Sequence, residues 1–376
     1  MKKQICAAAL ALCLSLAACA PASGASSRGG TSSSGRADVS PAASHASSAS
    51  AVSSGQAAQP LDLPYEKIEP VADYATPYPY LACGFDGSET AYYTMCKDGL
   101  WGLMRADFTV VLECRAPQPV ARCNLGHWFW SYDGMSWDEF DAINARLSET
   151  GDGALEPGHG GGVSQLFYWD MTEETCGLYI SGEDSAQNCP ITAGLTALYG
   201  EYLPVQLSSM AEGERIPGPY PEKIDNAFCY NFAGPAGADA PHLLTGEAYE
   251  AVGWFREGLG SVYKDGKIAY LNAEGQAVTD FLYDGVWAVR YATQSVLDED
   301  TDAYVTEIVH TYPGSGYPLA GGYAPVCRDG LWGFIDASGA KAVPCRYDYA
   351  CPTPDGRALV RENSVWSIVE PAALAA

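Results

Sequence analysis

The chain is short of positive charge. Its 376 residues include 21 lysines and arginines against 46 aspartates and glutamates, so the formal net charge at pH 7 is −25. A chain this acidic repels the phosphates of nucleic acids, and it offers no basic stripe along which they could bind. We therefore expect no nucleic-acid partner, although the acidic surface would attract cations or cationic partners.

Patterns that hold metals are also missing. No Cys-x-x-Cys pair is present, and the histidines are too dispersed for a zinc site; they are His45, His127, His159, His242 and His310. The acidic stretch DEDTD at residues 298–302 lacks the glycine and the distal glutamate of an EF-hand loop. We interpret it as a solvated turn and predict neither a metal nor a cofactor.

Catalytic motifs are absent as well. The stretch GHGGG at residues 158–162 resembles the oxyanion loop of esterases, but the Gly-x-Ser-x-Gly nucleophile motif of such enzymes does not occur. A glycine-rich loop is the simpler interpretation. We predict no catalytic residue, while a triad assembled from positions distant in sequence stays open, because triads are defined by geometry.

Membrane-length apolar runs are missing after the N-terminus, and the run at the N-terminus is itself short. Ile5 to Ala18 follows Lys2 and Lys3, and about 20 residues are needed to span a bilayer. These features are typical of a secretory signal peptide at residues 1–18. The stretch LAAC at Leu16–Cys19 resembles the lipobox of bacterial lipoproteins, which implies cleavage before Cys19 and lipid attachment to its sulfur. Two or three acyl chains would hold the protein stably on a membrane.

Residues 19–60 are rich in serine, alanine and glycine and almost free of large apolar side chains. Such a segment cannot bury enough surface to offset the entropy lost on ordering, so we predict a disordered tether. Treated as a flexible coil, it would reach about 35 Å. Residues 61–376 are long enough to form a buried core and make up the predicted folded domain.

One pattern recurs along that domain. CKDGLWGLMRADFTVVLEC at Cys96–Cys114 matches CRDGLWGFIDASGAKAVPCRYD at Cys327–Asp348. A third copy runs from Phe255 to Val286, and a weaker fourth copy ends the chain. The equivalent central positions are Trp101, Ile268, Trp332 and Trp366. A unit is therefore about 30–35 residues long, and the longer gap between Ile268 and Trp332 leaves room for one degenerate copy.

Each copy predicts a three-stranded meander with the tryptophan slot on the middle strand. Alternating small and apolar residues flank an Asp-Gly pair, which is a strong signal for a type I′ hairpin turn. Gly275 and Gly339 then mark a second turn, where glycine suits a left-handed backbone. A single meander cannot bury its own face, so several must stack.

The pattern resembles the WG-repeat (KWG-repeat) family of bacterial proteins, many of them exported. The match is good for Phe255–Asp348, fair for residues 96–112 and poor for residues 123–249. The resemblance implies an all-β scaffold or binding surface and carries over no common catalytic activity. The number of units favours a propeller-like ring over an open array.

The ten cysteines of the predicted mature domain allow two interpretations. Pairs 96/114 and 327/345 would lie on first and third strands, about 9.5 Å apart, and a disulfide needs Cα atoms within about 7 Å. Tyr263 and Phe281 occupy those slots in the third copy, which favours small buried apolar residues. Pairs 114/123, 176/189 and 345/351 are closer in sequence and are the better disulfide candidates.

The divergent segment, residues 123–249, is rich in aromatic residues. Trp128, Trp130 and Trp137 are candidates for stacking on sugar rings, and the alternative is that they belong to the core. Apolar residues at helical spacing predict a short helix over WDEFDAINARLS, residues 137–148, and a second is expected at Pro190–Leu203.

Three functions remain open at this level. The first is an exported WG-repeat lipoprotein, anchored through Cys19 at the cell surface or the periplasmic face of a membrane, which binds or scaffolds a protein, peptide or glycan without catalysis. The second is a carbohydrate- or peptide-binding module that uses the tryptophans of residues 127–140. The third is an exported hydrolase with a cleft near residues 123–249.

Overall fold

The computed structural model describes much of the chain after residue 58, and those residues are mostly β-strand. The described residues are 59–73, 92–123, 127–130, 135–155, 165–170, 174–180, 187–188, 201–208, 230–234, 241–285, 287, 290–298, 303–312, 314–353 and 355–375. The compact unit that contains them spans residues 58–376. The predicted signal peptide, Cys19 and nearly all of the predicted tether lie outside the described residues. The first strand begins at Gln59, inside the stretch assigned to the tether.

Short strands follow one another through the first half of the domain, with one helix among them. They are β1 (Gln59–Leu61), β2 (Lys67–Pro70), β3 (Ala72–Asp73), β4 (Tyr92–Lys97), β5 (Leu100–Arg105), β6 (Val110–Ala116), β7 (Ala121–Cys123), β8 (His127–Phe129), α1 (Trp137–Thr150), β9 (Ala154–Leu155), β10 (Gln165–Asp170), β11 (Thr175–Ile180), β12 (Gln187–Asn188) and β13 (Leu203–Ser208).

The second half has the same character and ends in a single helical turn. Its elements are β14 (Tyr230–Gly234), β15 (His242–Leu243), β16 (Ala251–Val252), β17 (Leu259–Lys264), β18 (Lys267–Asn272), β19 (Arg290–Asp298), β20 (Ala303–Tyr312), β21 (Tyr323–Arg328), β22 (Leu331–Asp336), β23 (Lys341–Tyr347), β24 (Tyr349–Pro352), β25 (Ala358–Glu362), β26 (Val365–Val369) and α2 (Pro371–Leu374).

The strands pair into six separate sheets and one hairpin, and none of the described sheets closes on itself. In pairing order they are sheet 1 (β2-β4-β5-β6), sheet 2 (β3-β7-β8-β9), sheet 3 (β12-β11-β10-β13-β14-β15), sheet 4 (β16-β17-β18), the β19–β20 hairpin, sheet 5 (β21-β22-β23) and sheet 6 (β1-β26-β25-β24). The four predicted repeats correspond to sheets 1, 4, 5 and 6.

The meander prediction is confirmed in sheets 1 and 5, where three consecutive strands pair antiparallel around the tryptophan strand. It is wrong in two details. In sheet 4 the segment predicted as a third strand makes only isolated bridges, at Ala277 and Tyr283. In sheet 6 the third strand is β1, which comes from the other end of the domain.

The gap between Ile268 and Trp332 does not hold another three-stranded copy. Its described residues form the β19–β20 hairpin, paired from Arg290 with Tyr312 to Asp298 with Ala303. An isolated bridge between Trp287 and Ser315 lies at the base of this hairpin. The first strand of sheet 5, β21, follows it in the chain. The extra length is therefore an insertion into a unit.

Apolar clusters are shared between neighbouring sheets, as expected for meanders that cannot bury a face alone. One cluster joins sheet 1 to sheet 2 and α1, a second joins sheet 3 to sheet 4, and a third joins sheet 4 to sheet 5. The cluster with the most buried residues joins sheets 5, 6 and 1. Packing contacts therefore run through the sheets in the order 2, 1, 6, 5, 4, 3.

Helix α1 confirms the helix predicted from the spacing of its apolar residues. The Ser136 side chain accepts a hydrogen bond from the Glu139 backbone N–H, and Gly151 ends the helix with a left-handed backbone at φ 73°. Leu147 is buried, and Phe140 and Ile143 pack on the same cluster. Most of the helix predicted at Pro190–Leu203 falls outside the described residues, and Leu203 itself begins β13.

Among the described residues, no helix has both the length and the apolar character needed to cross a membrane.

Four of the described cysteines, Cys96, Cys114, Cys327 and Cys345, are free thiols. Cys96, Cys176, Cys327 and Cys351 are buried, while Cys114 and Cys345 are partly buried. The interpretation of 96/114 and 327/345 as small buried residues agrees with this. The expected 345/351 disulfide is wrong, because the Cys345 thiol is free. For pairs 114/123 and 176/189, one partner's side chain lies outside the described residues.

Candidate binding surface

The residues predicted at the centre of each repeat lie in the core. Trp101 is 9% exposed, Trp332 5%, Ile268 1% and Trp366 0%. The rings of Trp332 and Tyr349 are 4.9 Å apart, and those of Tyr349 and Trp366 are 6.1 Å apart, so aromatic contacts link sheet 5 to sheet 6.

Two of the three predicted ligand-stacking tryptophans are core residues. Trp128 is fully buried and donates its indole N–H to the Asp152 carbonyl, and Trp130 donates to the Trp101 carbonyl at 3.2 Å. Trp137, at the start of α1, is 72% exposed, and its ring lies 5.7 Å from Phe140. The three side chains therefore do not form an exposed row, because two of them fill the space between sheets 1 and 2.

The hairpin turns of the repeats share one geometry. Asp98 and Gly99 both have positive φ, at 53° and 75°, as do Asp329 and Gly330, at 54° and 78°. Positive φ at both central residues defines the type I′ turn, so the prediction from Asp-Gly is confirmed. The other two turns match: Asp265 and Gly266 in sheet 4, and Asn363 and Ser364 in sheet 6.

A carboxylate holds each of these turns. The Glu66 carboxylate accepts a hydrogen bond from the Asp98 backbone N–H at 3.2 Å, and the Glu250 carboxylate accepts one from Asp265 at 2.7 Å. The Asp284 carboxylate accepts one from Asp329 in sheet 5 at 3.1 Å, and the Asp348 carboxylate accepts one from Ser364, the second central residue of the sheet 6 turn, at 3.2 Å. Each acid follows a tyrosine, at Tyr65, Tyr249, Tyr283 and Tyr347.

The sequence marks these carboxylates by a tyrosine that directly precedes each of them. Only two of the four Tyr-acid pairs are apparent from the alignment of the repeats. Tyr283-Asp284 and Tyr347-Asp348 align directly after the third segment of a repeat. Tyr65-Glu66 and Tyr249-Glu250 precede the first hairpin strand instead, so they are not adjacent to a recognisable repeat. In sheets 1, 4 and 6 the pair directly precedes the edge strand that pairs with the first hairpin strand, and in sheet 5 the Asp284 N–H donates to the Cys327 carbonyl of the first hairpin strand.

The carboxylates also connect one turn to the next. The Asp284 carboxylate that holds the sheet 5 turn lies 3.7 Å from Lys267, at the turn of sheet 4. The Glu66 carbonyl accepts a hydrogen bond from Arg361 of sheet 6 at 3.5 Å, while its carboxylate holds the turn of sheet 1. The turns of sheets 4, 5, 6 and 1 therefore lie at the same end of neighbouring units.

This end of the units carries exposed apolar side chains at equivalent positions. The residue directly after the turn is Leu100 in sheet 1, Leu331 in sheet 5 and Val365 in sheet 6, and these are 40%, 42% and 48% exposed. Sheet 4 has Lys267 there. We name the four turns and these following residues the tip surface: Asp98–Leu100, Asp265–Lys267, Asp329–Leu331 and Asn363–Val365.

Charged side chains surround those apolar residues. A basic residue precedes three of the turns, at Lys97, Lys264 and Arg328. Lys264 pairs with Glu247 at 3.1 Å, and Arg328 lies 3.7 Å from Asp329. Such exposed ion pairs contribute little to stability. The tip surface thus presents isolated apolar side chains in a polar rim, which is the character of a protein-binding surface.

The part of the chain that can be described has no candidate metal site. It holds no group of three or more His, Cys, Asp or Glu side chains placed to bind a metal. The predicted glycine-rich loop at residues 158–162 lies outside it, and so does nearly all of the acidic turn at 298–302. What the described geometry can do is present a contact surface.

A family model described as the WG-containing repeat matches residues 332–366. This chain contains a WG repeat. The match runs from Trp332 in the middle strand of sheet 5 to Trp366 in the middle strand of sheet 6, so one repeat of the family crosses from one sheet to the next. No curated protein matches the chain.

Proposed function

We propose that this protein is an exported, lipid-anchored WG-repeat protein that binds or scaffolds a partner through the tip surface, without catalysis. The observation that carries the proposal is the recurrence of an exposed apolar residue after the turn in three structurally equivalent units. The fold does not require an apolar side chain at this position, since Lys267 fills it in sheet 4. Exposed apolar side chains that recur at equivalent positions of neighbouring units are what a shared partner could contact.

The partner class that fits this surface is a protein or peptide. Apolar side chains spaced along a row of turns, with charges of both signs between them, suit a partner with apolar and charged groups of its own. The formal charge of −25 favours a partner with excess positive charge and disfavours a nucleic acid.

A propeller-like arrangement of the six sheets belongs to the same proposal. It is supported by the order in which the sheets share core clusters and by the pairing of β1 with β26, which brings the two ends of the domain into one sheet. Small-angle X-ray scattering of residues 58–376 tests it. A ring predicts a compact particle, and an elongated particle would favour the open array.

A triple variant tests the tip surface directly. Leu100→Asp, Leu331→Asp and Val365→Asp together should weaken binding to any ligand found on a peptide and glycan array by at least tenfold, because they place charge at the centre of the contact. Val110→Asp with Leu374→Asp changes exposed apolar residues outside the tip surface and should leave binding intact. Equal binding by both variants would refute the assignment.

The lipid anchor has its own test. The protein produced with its N-terminus in a bacterial host should incorporate a palmitate analogue, and Cys19→Ala should abolish the labelling. Absence of label on the wild type, or equal label on the variant, would remove the anchor from the proposal and leave the tip surface unaffected.

Carbohydrate binding at Trp137 is a second candidate function. A tryptophan that is 72% exposed at a helix start offers a ring face on which a sugar could stack. Trp137→Ala should then abolish glycan-array signals while leaving peptide signals unchanged. Unchanged glycan signals would exclude this function.

A further inference from the structure

The outer edge of sheet 6 is filled by a strand from the opposite end of the domain. In sheets 1 and 5 the third position belongs to β6 and β23, which follow the tryptophan strand directly in sequence. After β26 the chain instead enters α2 at Pro371, and β1 takes the third position in antiparallel pairing with β26. The last unit is therefore completed by a segment with no local connection to it.

Residues 59–61 of that segment pair with β26 as a strand, and the chain then runs on past a tight local turn in which the Leu63 N–H donates to the Leu61 carbonyl at 3.0 Å. Every second side chain faces the core: Leu61, Leu63 and Tyr65 are partly buried and pack on the cluster shared by sheets 5, 6 and 1. The intervening residues, Pro60, Asp62 and Pro64, are exposed. Alternation of this kind is how a peptide that adds to a sheet edge is recognised, with main-chain bonds for affinity and pockets for alternate side chains.

Sheet 6 also supplies polar contacts to the main chain of the segment. Leu61 is in register with Trp366, and Gln59 with Ile368. The Trp366 indole N–H donates to the Tyr65 carbonyl at 2.7 Å, and Arg361 donates to the Glu66 carbonyl at 3.5 Å. These donors bind backbone oxygens, so they select an extended main chain, while the side-chain selection comes from the apolar positions.

We propose that the outer edge of sheet 6 is a peptide-binding site for an extended segment with Leu-x-Leu-x-Tyr spacing, and that residues 59–66 are its resident ligand. A partner segment with apolar side chains at every second position can occupy the site when residues 59–66 leave it. The segment ends at Glu66, whose carboxylate also holds the sheet 1 turn of the tip surface, so its departure would loosen that turn. Binding of the peptide is therefore measured separately from binding of a partner at the tip surface, and either can fail without the other.

The test uses the full chain and a labelled synthetic peptide of residues 57–67. In the double variant Leu61→Asp/Leu63→Asp the resident segment carries charge into apolar positions and should leave the site. By fluorescence anisotropy this variant should bind the peptide at least tenfold more tightly than the wild type, whose site is occupied. Saturating peptide should raise the melting temperature of the variant towards that of the wild type.

Matched controls separate this site from nonspecific binding. A peptide with aspartate at the positions of Leu61 and Leu63 should not bind the variant, and a Pro64→Ala chain, altered at an exposed position of the segment, should bind the peptide no better than the wild type. The milder Leu63→Ala chain provides a second variant that keeps the fold. Equal binding of both peptides, or no gain in either Leu variant, would overturn the proposal. A double variant that is unfolded and not restored by the peptide would also overturn it.

Discussion

Sheets 4 and 5 begin identically and differ in how their third segment pairs. Both have a type I′ turn at Asp-Gly held by a carboxylate from a Tyr-acid pair. Both bring the third segment back in the same register: Ile268 faces Tyr283 in sheet 4, and Trp332 faces Tyr347 in sheet 5. Yet in sheet 5 that segment is the seven-residue strand β23, and in sheet 4 it makes only isolated bridges.

The difference traces to the residue after the tryptophan slot. A Cβ on Gly333 would lie 2.5 Å from the Val343 carbonyl oxygen, and one on Gly102 would lie 2.4 Å from that of Leu112. The third strand therefore passes so close to the middle strand that only glycine fits. Sheet 4 has Ala269 there, and its third segment bonds to the middle strand differently: the Tyr270 N–H donates to the Thr279 hydroxyl at 3.0 Å, and the Tyr270 carbonyl accepts from the Val278 N–H at 2.9 Å.

This comparison gives the Trp-Gly pair a physical meaning. The tryptophan fills the space between neighbouring sheets, and the glycine admits the backbone of the third strand. Sheet 6 is consistent with this account, because Ser367 follows its tryptophan and its third strand, β1, pairs in regular register without a bulge. The glycine of the Trp-Gly pair is thus needed where the third strand is bulged, as in sheets 1 and 5. Another residue can take its place where the third strand pairs regularly or is absent.

The largest expected effect comes from adding a Cβ to Gly333. Gly333→Ala would meet backbone atoms of Val343, Pro344 and Cys345 within 2.8 Å, and these cannot move without breaking the pairing of β23. We expect a loss of about 3 kcal/mol in the free energy of unfolding, measured by urea denaturation. Gly246→Ala meets no atom within 4 Å and should change stability by less than about 0.5 kcal/mol. Equal losses in both variants would contradict this explanation.

A second variant makes sheet 5 resemble sheet 4 at the tryptophan slot. Trp332→Ile removes a ring that lies 5.6 Å from Tyr317 and 4.9 Å from Tyr349, and it leaves a cavity between sheets 5 and 6. We expect a loss of about 2 kcal/mol, less than for truncation to alanine because isoleucine keeps part of the volume. Trp137→Ile alters the exposed tryptophan and should have little effect. A similar loss of stability in Trp332→Ile and Trp137→Ile would mean that the contribution of Trp332 does not come from its burial.

The comparison also separates what the sequence can predict from what it cannot. The turns, the middle strands and helix α1 follow from local chemistry: Asp-Gly at the turns, alternation around Trp332, and apolar spacing from Phe140 to Leu147. The missing third strand of sheet 4 was not predicted, because QAVTDF has strand character and the obstacle lies on a different strand, at Ala269.

Contacts between residues distant in sequence account for the other differences between the predictions and the structure. The strand content of residues 59–61 was hidden because β1 pairs with β26, more than three hundred residues away in sequence. Burial of Trp128 and Trp130 depends on how sheet 2 packs against sheet 1, which no pattern within residues 127–140 reveals. The alignment makes Leu100, Leu331 and Val365 equivalent, since each precedes an aligned tryptophan, but their exposure is visible only in the structure.

A third and smaller effect on stability is expected from the buried carboxyl of Glu69, which lies where sheets 5, 6 and 1 meet. Tyr349 donates a hydrogen bond to the Glu69 carboxylate at 2.6 Å, and its oxygen is 3.2 Å from that of Tyr317. Burial raises the pKa of Glu69 above that of an ordinary carboxyl group, although the bond from Tyr349 and the charge of Lys67 act in the opposite direction. Sheet 4 contributes only Tyr270, which donates to the Tyr317 carbonyl.

A raised pKa means that the folded state favours the protonated carboxyl. Ionised Glu69 therefore costs stability, and this cost appears as the pH rises from the ordinary carboxyl pKa through the raised one. Glu69→Gln should melt about 2 °C higher than the wild type at pH 7. At pH 4 the two should melt together. Glu362→Gln, at an exposed carboxylate of sheet 6, is the control. A Glu69→Gln chain that melts lower than the wild type at pH 7 would show that the charge is stabilising.

The smallest expected effect concerns the feature that sheets 4 and 5 share. Glu250→Ala and Asp284→Ala each remove one carboxylate that accepts from a turn N–H, and each should cost about 0.5–1 kcal/mol, as for loss of a helix N-cap. Because the bond is the same in both sheets, the two losses should agree within about 0.5 kcal/mol. Hydrogen exchange gives the local measurement: the Asp265 amide should exchange faster only in Glu250→Ala, and the Asp329 amide only in Asp284→Ala. If either variant loosened both turns, the carboxylates would act through the contact between the sheets and not through the turn that each one holds.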